Sequence, residues 1–149
     1  MKKFSKILVP VEGIPADDQA IRLACQIARQ DKATVLVIYV IEVQRTLPLD
    51  AENAPQIEHG ERVLQRAEQS AKQNGVRAET ELLQSRTAGS ALVDEAIARG
   101  IDLIVMGVPF RRPLGDFLLG TTAIYVMKNT PCQFWLCREA AAEDKSEKK

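Results

Sequence analysis

Residues 33–41 read ATVLVIYVI, a run that is apolar apart from one threonine. β-Branched residues dominate it, which is typical of a strand buried on both faces of a parallel sheet. Residues 102–106, DLIVM, repeat the pattern, and residues 6–11, KILVPV, form a third segment of this kind. A sheet of such strands needs helices on both faces, so these stretches indicate an α/β fold.

Segments of helical period separate the strands. Asp17–Gln30 has apolar residues at spacings of three and four, and Glu58–Asn74 and Ala88–Arg99 do the same. Thr121–Lys128 is a shorter helical segment, and Cys132–Cys137 is a further apolar strand. The alternation predicts five strands and four helices built as repeated βα units.

One strand differs from the others and sets the predicted order. Val76–Leu83 alternates apolar with charged residues, which is typical of a strand at the edge of a sheet. With this third strand at one edge, we expect a Rossmann-like parallel sheet of order 3-2-1-4-5 with helices on both faces. The preceding segment Glu42–Pro55 has no stable period and contains two prolines, so it is predicted to be a mobile surface loop.

Length and charge narrow the class of protein. The chain has 149 residues, 46% of them hydrophobic, which suits one domain over residues 1–138 followed by a disordered charged tail over residues 139–149. Its 20 basic and 20 acidic side chains cancel, so there is no basic field to gather nucleic acid. No apolar run approaches the ~20 residues that span a bilayer, and no signal-peptide core opens the chain. We therefore expect a cytoplasmic protein that binds neither membranes nor nucleic acid, with its three cysteines reduced.

The predicted topology also locates a binding site. In such a sheet, ligands bind beyond the carboxyl ends of the strands at the point where the winding direction reverses. Here that point lies between strands one and four, which places Pro10–Gly13 beside Met106–Gly107. The carboxylate of Glu12 could accept hydrogen bonds from a sugar hydroxyl there, or it could be a solvated acid in a turn.

Gly120-Thr121-Thr122 is the best phosphate-binding candidate. Glycine permits close approach to the backbone, and the start of the following helix offers free N–H groups to an anion. The threonines could equally serve as helix caps without a ligand. The turn Glu12–Pro15 lacks the G-x-G-x-x-G pattern, which disfavours a dinucleotide site.

Several of these segments resemble the universal stress protein (UspA-like) family, and the similarity covers roughly residues 4–138. It is carried by KILVPVEG at residues 6–13, VIYVIE ending at Glu42, DLIVMG at residues 102–107, LLGTT at residues 118–122 and TPCQFWLC at residues 130–137. The resemblance implies a five-stranded parallel sheet, a tendency to dimerise, and a division into ATP-binding and non-ATP-binding members.

The ATP-binding members carry glycine, two residues, glycine, nine residues, and glycine followed by Ser or Thr. In this chain Gly107 and Gly120-Thr121 match, whereas Phe110 stands at the second glycine. The aspartate of the family falls on Glu12, and its following serine falls on Ile14. A left-handed conformation would cost Phe110 about 1–2 kcal/mol, and its ring could fill the phosphate space.

Two arginines follow Phe110 and affect whether this loop could bind phosphate. Arg111 and Arg112 could replace lost backbone donors by charge-assisted contacts to a triphosphate, or they could extend into solvent.

The ligand that the resemblance implies is ATP, with Mg. It assigns adenine and ribose contacts to Pro10, Val11, Glu12, Val40 and Met106, and phosphate contacts to Gly107, Gly120, Thr121 and Thr122. No residue type stands out as a general base, so no catalytic residue or metal ligand is assigned and the protein is at most a slow ATPase. His59, the only histidine, is expected at the surface.

Two functions therefore stay open. The first is a nucleotide-binding stress-response module. The second is a nucleotide-free dimer that acts through a protein partner, with Phe110 in the phosphate space. In either case the apolar strand Cys132–Cys137 would leave unpaired backbone at a sheet edge, so we expect a homodimer through that edge, with Phe134 and Trp135 on opposite faces of the strand.

Overall fold

A computed structural model describes residues 3–110 and 119–141. Within these ranges five parallel strands form one sheet of order β3-β2-β1-β4-β5. The elements in chain order are β1 (Lys6–Pro10), α1 (Ala16–Asp31), β2 (Thr34–Glu42), α2 (Ala54–Gln73), β3 (Glu79–Ser85), α3 (Ala88–Ala98), β4 (Leu103–Val108), α4 (Thr121–Asn129) and β5 (Gln133–Arg138). The predicted order is confirmed, including the pairing of β1 with β4.

The sheet separates two apolar cores. Helices α1 and α2 cover one face, and α3 and α4 cover the other. Side chains alternate between the cores along each strand, so Ile7 and Val9 enter the first core while Leu8 enters the second. All three are fully buried. Burial on both faces explains why the central strands are apolar throughout.

Helix α2 begins earlier than the sequence predicted. It starts at Ala54 instead of Glu58, and Asn53 is its N-cap, with the side-chain oxygen accepting a hydrogen bond of 3.1 Å from the Gln56 N–H. Pro55 lies in the first turn, where the missing N–H of proline costs nothing. The predicted start at Glu58 is wrong because proline is as compatible with the first turn of a helix as with a loop.

Strand β3 is an edge strand, as predicted, but it is displaced along the chain. It spans Glu79–Ser85 instead of Val76–Leu83. Its ends follow from its pairing with β2, which sets Glu79 opposite Leu36 and Ser85 opposite Glu42. Alternation identified the strand, whereas its limits depend on this tertiary register.

Strand β5 forms the opposite edge. The Trp135 ring packs edge-on against Phe4, with the ring centroids 5.7 Å apart, and Phe134 packs against the other core. Both rings thus stabilise their own chain, on opposite faces as predicted, while Leu136 on the same strand is 38% exposed. The three cysteines are free thiols.

Residues 142–149 of the predicted tail lie outside the described residues. Among the helices of the described ranges, none combines the length and apolar character needed to cross a membrane.

Candidate functional site

A cavity of about 410 Å³ opens at the carboxyl ends of β1, β2 and β4. Its wall contains most of the residues that the sequence singled out, namely Pro10, Val11, Glu12, Val40, Met106, Gly107, Thr121 and Thr122. The remaining one, Gly120, lines an adjoining cavity of about 260 Å³. The two cavities share Glu12, Met106 and Gly107, so the structure brings all of the predicted residues to one place.

The turn between β1 and α1 forms one side of the site. It is held by Asp17, whose carboxylate accepts hydrogen bonds from the N–H groups of Glu12 at 3.3 Å, Gly13 at 2.7 Å and Ile14 at 3.0 Å. Gly13 has a φ of +86°, a conformation that glycine adopts without strain. Asp17 is not among the residues predicted from the sequence, although an acid in the first turn of a helix is a recognisable signal.

Asp17 is only 7% exposed. This burial raises the pKa of its carboxyl to about 6, against the opposing effect of the three N–H donors and with a further increase from the negative charge of Glu12. The turn is therefore held by a charged group that is expensive to keep ionised.

Tyr39, in the second half of β2, is a second wall residue that the sequence did not identify. Its ring lies edge-on to His59, with centroids 6.0 Å apart, and a β-carbon at Gly60 would come within 2.8 Å of the same ring. Partial burial, and then the negative charge of Glu12, raise the pKa of the Tyr39 hydroxyl. His59 is exposed, as predicted.

Gly107 brings β4 against the start of α1. A β-carbon at this position would overlap the carbonyl group of Ala16. Glycine is therefore required here for packing between two elements of the fold, whatever ligand occupies the cavity.

The N-terminus of α4 forms the opposite side of the site. Gly120 is its N-cap, in an extended conformation and without a side-chain cap, and the Ile124 N–H donates to the Gly120 carbonyl at 3.1 Å. The N–H groups before Ile124 have no acceptor within the helix, as in any helix. Because the cap is glycine, the structure shows neither Thr121 nor Thr122 in the capping position.

A second helix N-terminus reaches the same cavity but is already occupied. The carboxylate of Glu42 accepts a hydrogen bond of 2.8 Å from the N–H of Ala88, the first residue of α3. Both residues line the cavity, together with Gln56 and Leu92. A negative charge thus sits at the N-terminus of α3, whereas among the residues that the structure describes no side chain caps the N-terminus of α4.

The loop between β2 and α2 is tied to the end of β3. The Arg86 guanidinium donates to the carbonyl groups of Gln44 at 2.6 Å and Leu47 at 2.8 Å. The Gln84 side chain donates to the carbonyls of Leu49 at 3.0 Å and Ala51 at 2.9 Å. These bonds restrain a segment that the sequence predicted to be mobile.

Phe110 lies beside β5. Its ring centroid is 4.7 Å from the guanidinium carbon of Arg138, and its N–H donates to the Glu139 carboxylate at 3.3 Å. Lys32 is the only non-glycine residue with positive φ in the described ranges, so Phe110 does not adopt the left-handed conformation and does not carry its cost. Phe110 is absent from the walls of both cavities. Arg111 and Arg112 lie outside the described residues.

The chain is similar to proteins of one known family over almost its whole length. A model of the universal stress protein family matches residues 3–138. Universal stress protein MJ0531 of Methanocaldococcus jannaschii is 31% identical over 146 residues, which cover 94% of this chain and 85% of that protein.

Two solved structures share the fold. A universal stress protein from Archaeoglobus fulgidus in complex with dAMP aligns with a TM-score of 0.73 and 18% identity, covering 91% of this chain and 98% of the other. A universal stress protein in complex with cAMP aligns with a TM-score of 0.72 and 21% identity, covering 91% and 97% of the two chains. At these identities the likeness establishes a common fold.

Proposed function

The chain belongs to the universal stress protein family, and on that premise we propose that it is a nucleotide-binding module that takes an adenine nucleotide in the cavity beyond β1, β2 and β4. The observation that carries the proposal is the convergence of residues from four separate segments on one cavity, where the N-terminus of α4 has no side-chain cap from the described part of the chain. Support also comes from two structural relatives whose complexes contain dAMP and cAMP.

The cavity has walls suited to a flat heterocycle and its sugar. Val40, Leu92 and Met106 supply apolar surface. The carboxylates of Glu12 and Glu42 are acceptors only, so they favour ligand groups that donate, such as sugar hydroxyls or an exocyclic amine. We place the base and ribose at this end of the cavity.

The N-termini of α3 and α4 differ in a way that decides which end of the cavity suits the phosphate group. At α3 the Glu42 carboxylate already accepts the Ala88 N–H, and its charge would repel a second anion. At α4 the first N–H groups adjoin the cavity without a side-chain cap. We therefore propose that a phosphate group binds at Gly120-Thr121-Thr122, the position that the family resemblance implies.

The magnesium that accompanies ATP has no dedicated protein site in this proposal. In the part of the chain that the structure describes, no group of three or more His, Cys, Asp or Glu side chains could hold a metal ion. Mg²⁺ usually keeps several waters and binds largely through substrate phosphates, so it would enter with the nucleotide. The proposed function is binding, and the cytoplasmic location stays a prediction from the sequence.

The test is calorimetric titration of the protein with AMP and with ATP, each with and without Mg²⁺, together with thermal unfolding at millimolar nucleotide. We expect heat of binding and a rise in Tm, because a ligand that binds the folded state stabilises it. Absence of both with every nucleotide overturns the proposal and favours a nucleotide-free protein that acts through protein contacts.

A pair of variants tests the placement of the phosphate. Thr121→Asp adds a negative charge at the N-terminus of α4, where it suits the helix but repels phosphate, so affinity should fall about tenfold or more with Tm preserved. Thr87→Asp is the matched control, since Thr87 is the N-cap of α3. If Thr87→Asp loses binding and Thr121→Asp keeps it, the assigned orientation is wrong.

Assembly is a separate proposal, and it holds for either function. We propose a homodimer through the outer edge of β5, which no strand of the described residues covers. An exposed strand edge is normally paired or protected. Leu136, 38% exposed, supplies apolar surface at this edge, whereas Trp135 packs within its own chain.

A further inference from the structure

Asp17 is the one buried charged side chain in the described residues. Removing a carboxylate from water is costly unless it is well paired. Its partners in the structure are the backbone N–H groups of Glu12, Gly13 and Ile14. The carboxylate thus reaches backward out of the helix to the preceding turn.

Other charged groups near Asp17 do not supply its partner. The negative charge of Glu12 disfavours the ionised form of Asp17. Arg66 of α2 lines the cavity of about 280 Å³ behind the turn without forming an ion pair to Asp17. His59 lies near the same turn, its Nε2 3.5 Å from where a β-carbon on Gly13 would be. Asp17 is therefore held in place by the turn backbone, and the turn backbone by Asp17.

The position of Asp17 along the chain connects both sides of the nucleotide cavity. It follows Ala16, whose carbonyl group packs directly against Gly107 at the end of β4. It also fixes the backbone of Glu12, which lines both cavities. A change at Asp17 would therefore reach the wall of the site although Asp17 itself lies behind the turn.

We propose that Asp17 is a positioning residue of the nucleotide site, which holds the β1–α1 turn in the shape that presents Glu12 to the ligand. The inference rests on the proposed nucleotide binding, because the nucleotide is the ligand to which Glu12 is presented. Asp17 makes no contact with the nucleotide. Its effect on affinity passes through the turn.

The variants that test this are Asp17→Asn, which keeps the shape and one acceptor oxygen, and Asp17→Ala, which removes the acceptor. The matched control is Asp18→Asn, the exposed acid next to it. Calorimetry with AMP should show a loss of affinity of about tenfold or more for Asp17→Ala and a smaller loss for Asp17→Asn, with no change for the control.

A double-mutant cycle with Glu12→Ala distinguishes positioning of Glu12 by Asp17 from a general loss of stability. If Asp17 acts through Glu12, Asp17→Asn should weaken AMP binding in the wild-type background and have little further effect once Glu12 is alanine. Equal losses in both backgrounds overturn the proposal, and so does an unchanged affinity in folded Asp17→Asn.

Amide hydrogen exchange gives a readout without ligand. The N–H groups of Glu12, Gly13 and Ile14 should exchange faster in Asp17→Asn than in the wild type, while amides in the centre of β1 stay protected. Unchanged exchange at these three amides overturns the positioning role. If wild-type protein binds no nucleotide, the proposed function fails and the binding role with it, whereas normal wild-type binding with unaffected Asp17 variants defeats the present inference alone.

Discussion

Gly107 at the end of β4 lies so close to the backbone of Ala16 at the start of α1 that a methyl group has no room between them. The contact joins the two segments that flank the cavity. It also accounts for a glycine that the family pattern would assign to phosphate binding. Here the packing of α1 on the sheet requires it before any ligand arrives.

Replacing Gly107 by alanine should therefore destabilise the fold itself. The added carbon meets backbone, which cannot rotate away as a side chain can, so we expect a loss of about 1–3 kcal/mol or more in the free energy of unfolding. Urea denaturation of the unliganded protein measures it. Gly100→Ala is the comparison: it has open space but a φ of +66°, and should cost only about 1–2 kcal/mol. The loss should be larger for Gly107→Ala than for Gly100→Ala, and a Gly107→Ala loss no larger than that of Gly100→Ala would contradict the packing argument.

Asp17 should make stability depend on pH in an unusual direction. Its pKa in the folded protein is about 6, above the ordinary value of 3.8. Between these values the folded state holds a proton that the unfolded chain has released, so the free energy of unfolding falls as pH rises, and the loss is essentially complete about one pH unit above the folded pKa, near pH ~7.

The raised pKa of Asp17 also sets the size of this change in the free energy of unfolding. Relative to Asp17→Asn, which does not titrate, the wild type should lose up to about 3 kcal/mol between pH 4 and pH 7.5. Urea denaturation of both proteins at several pH values gives the difference, from which the other titrating groups largely cancel. A difference that does not vary with pH would show that Asp17 has an ordinary pKa.

Removal of Arg86 should release the β2–α2 loop. Arg86→Ala deletes the donor to the carbonyls of Gln44 and Leu47, which flank the trypsin site after Arg45. We expect faster cleavage after Arg45, measured by mass spectrometry during limited proteolysis, because local opening exposes the bond. Arg77→Ala, an exposed arginine outside the loop, should leave the rate unchanged. Equal rates in wild type and Arg86→Ala would show that these bonds do not restrain the loop.

The proposed dimer gives a prediction about mass. Light scattering at micromolar concentration should report about twice the 16.5 kDa of one chain. Leu136→Lys, which places a charge on the β5 edge, should shift the protein toward monomer, whereas Leu49→Lys should not, although Leu49 lies in a loop and is 48% exposed against 38% for Leu136. A monomeric wild type would exclude this interface.

The position of the site was predicted from the strand order that the sequence indicates, and most of the predicted site residues line one cavity. That success depends on strand order: the continuous apolar runs of β1 and β4 mark them as central strands, and neighbouring parallel strands end at the same edge of the sheet. The ends of the elements were less accurate. Pro55 marks the first turn of α2, and the limits of β3 follow from its register with β2.

What the sequence determined by itself is the class of fold, the order of its strands and the edge where a ligand can bind, because apolar periodicity along the chain reports which strands are buried on both faces. What only the tertiary structure decided is how that edge is built. Glu42 reaches the N-terminus of α3 across 46 residues, Asp17 turns back to the preceding turn, and Phe110 lies under Arg138 instead of filling the cavity. These contacts depend on the distances and directions that packing imposes on side chains, and those have no period in the sequence.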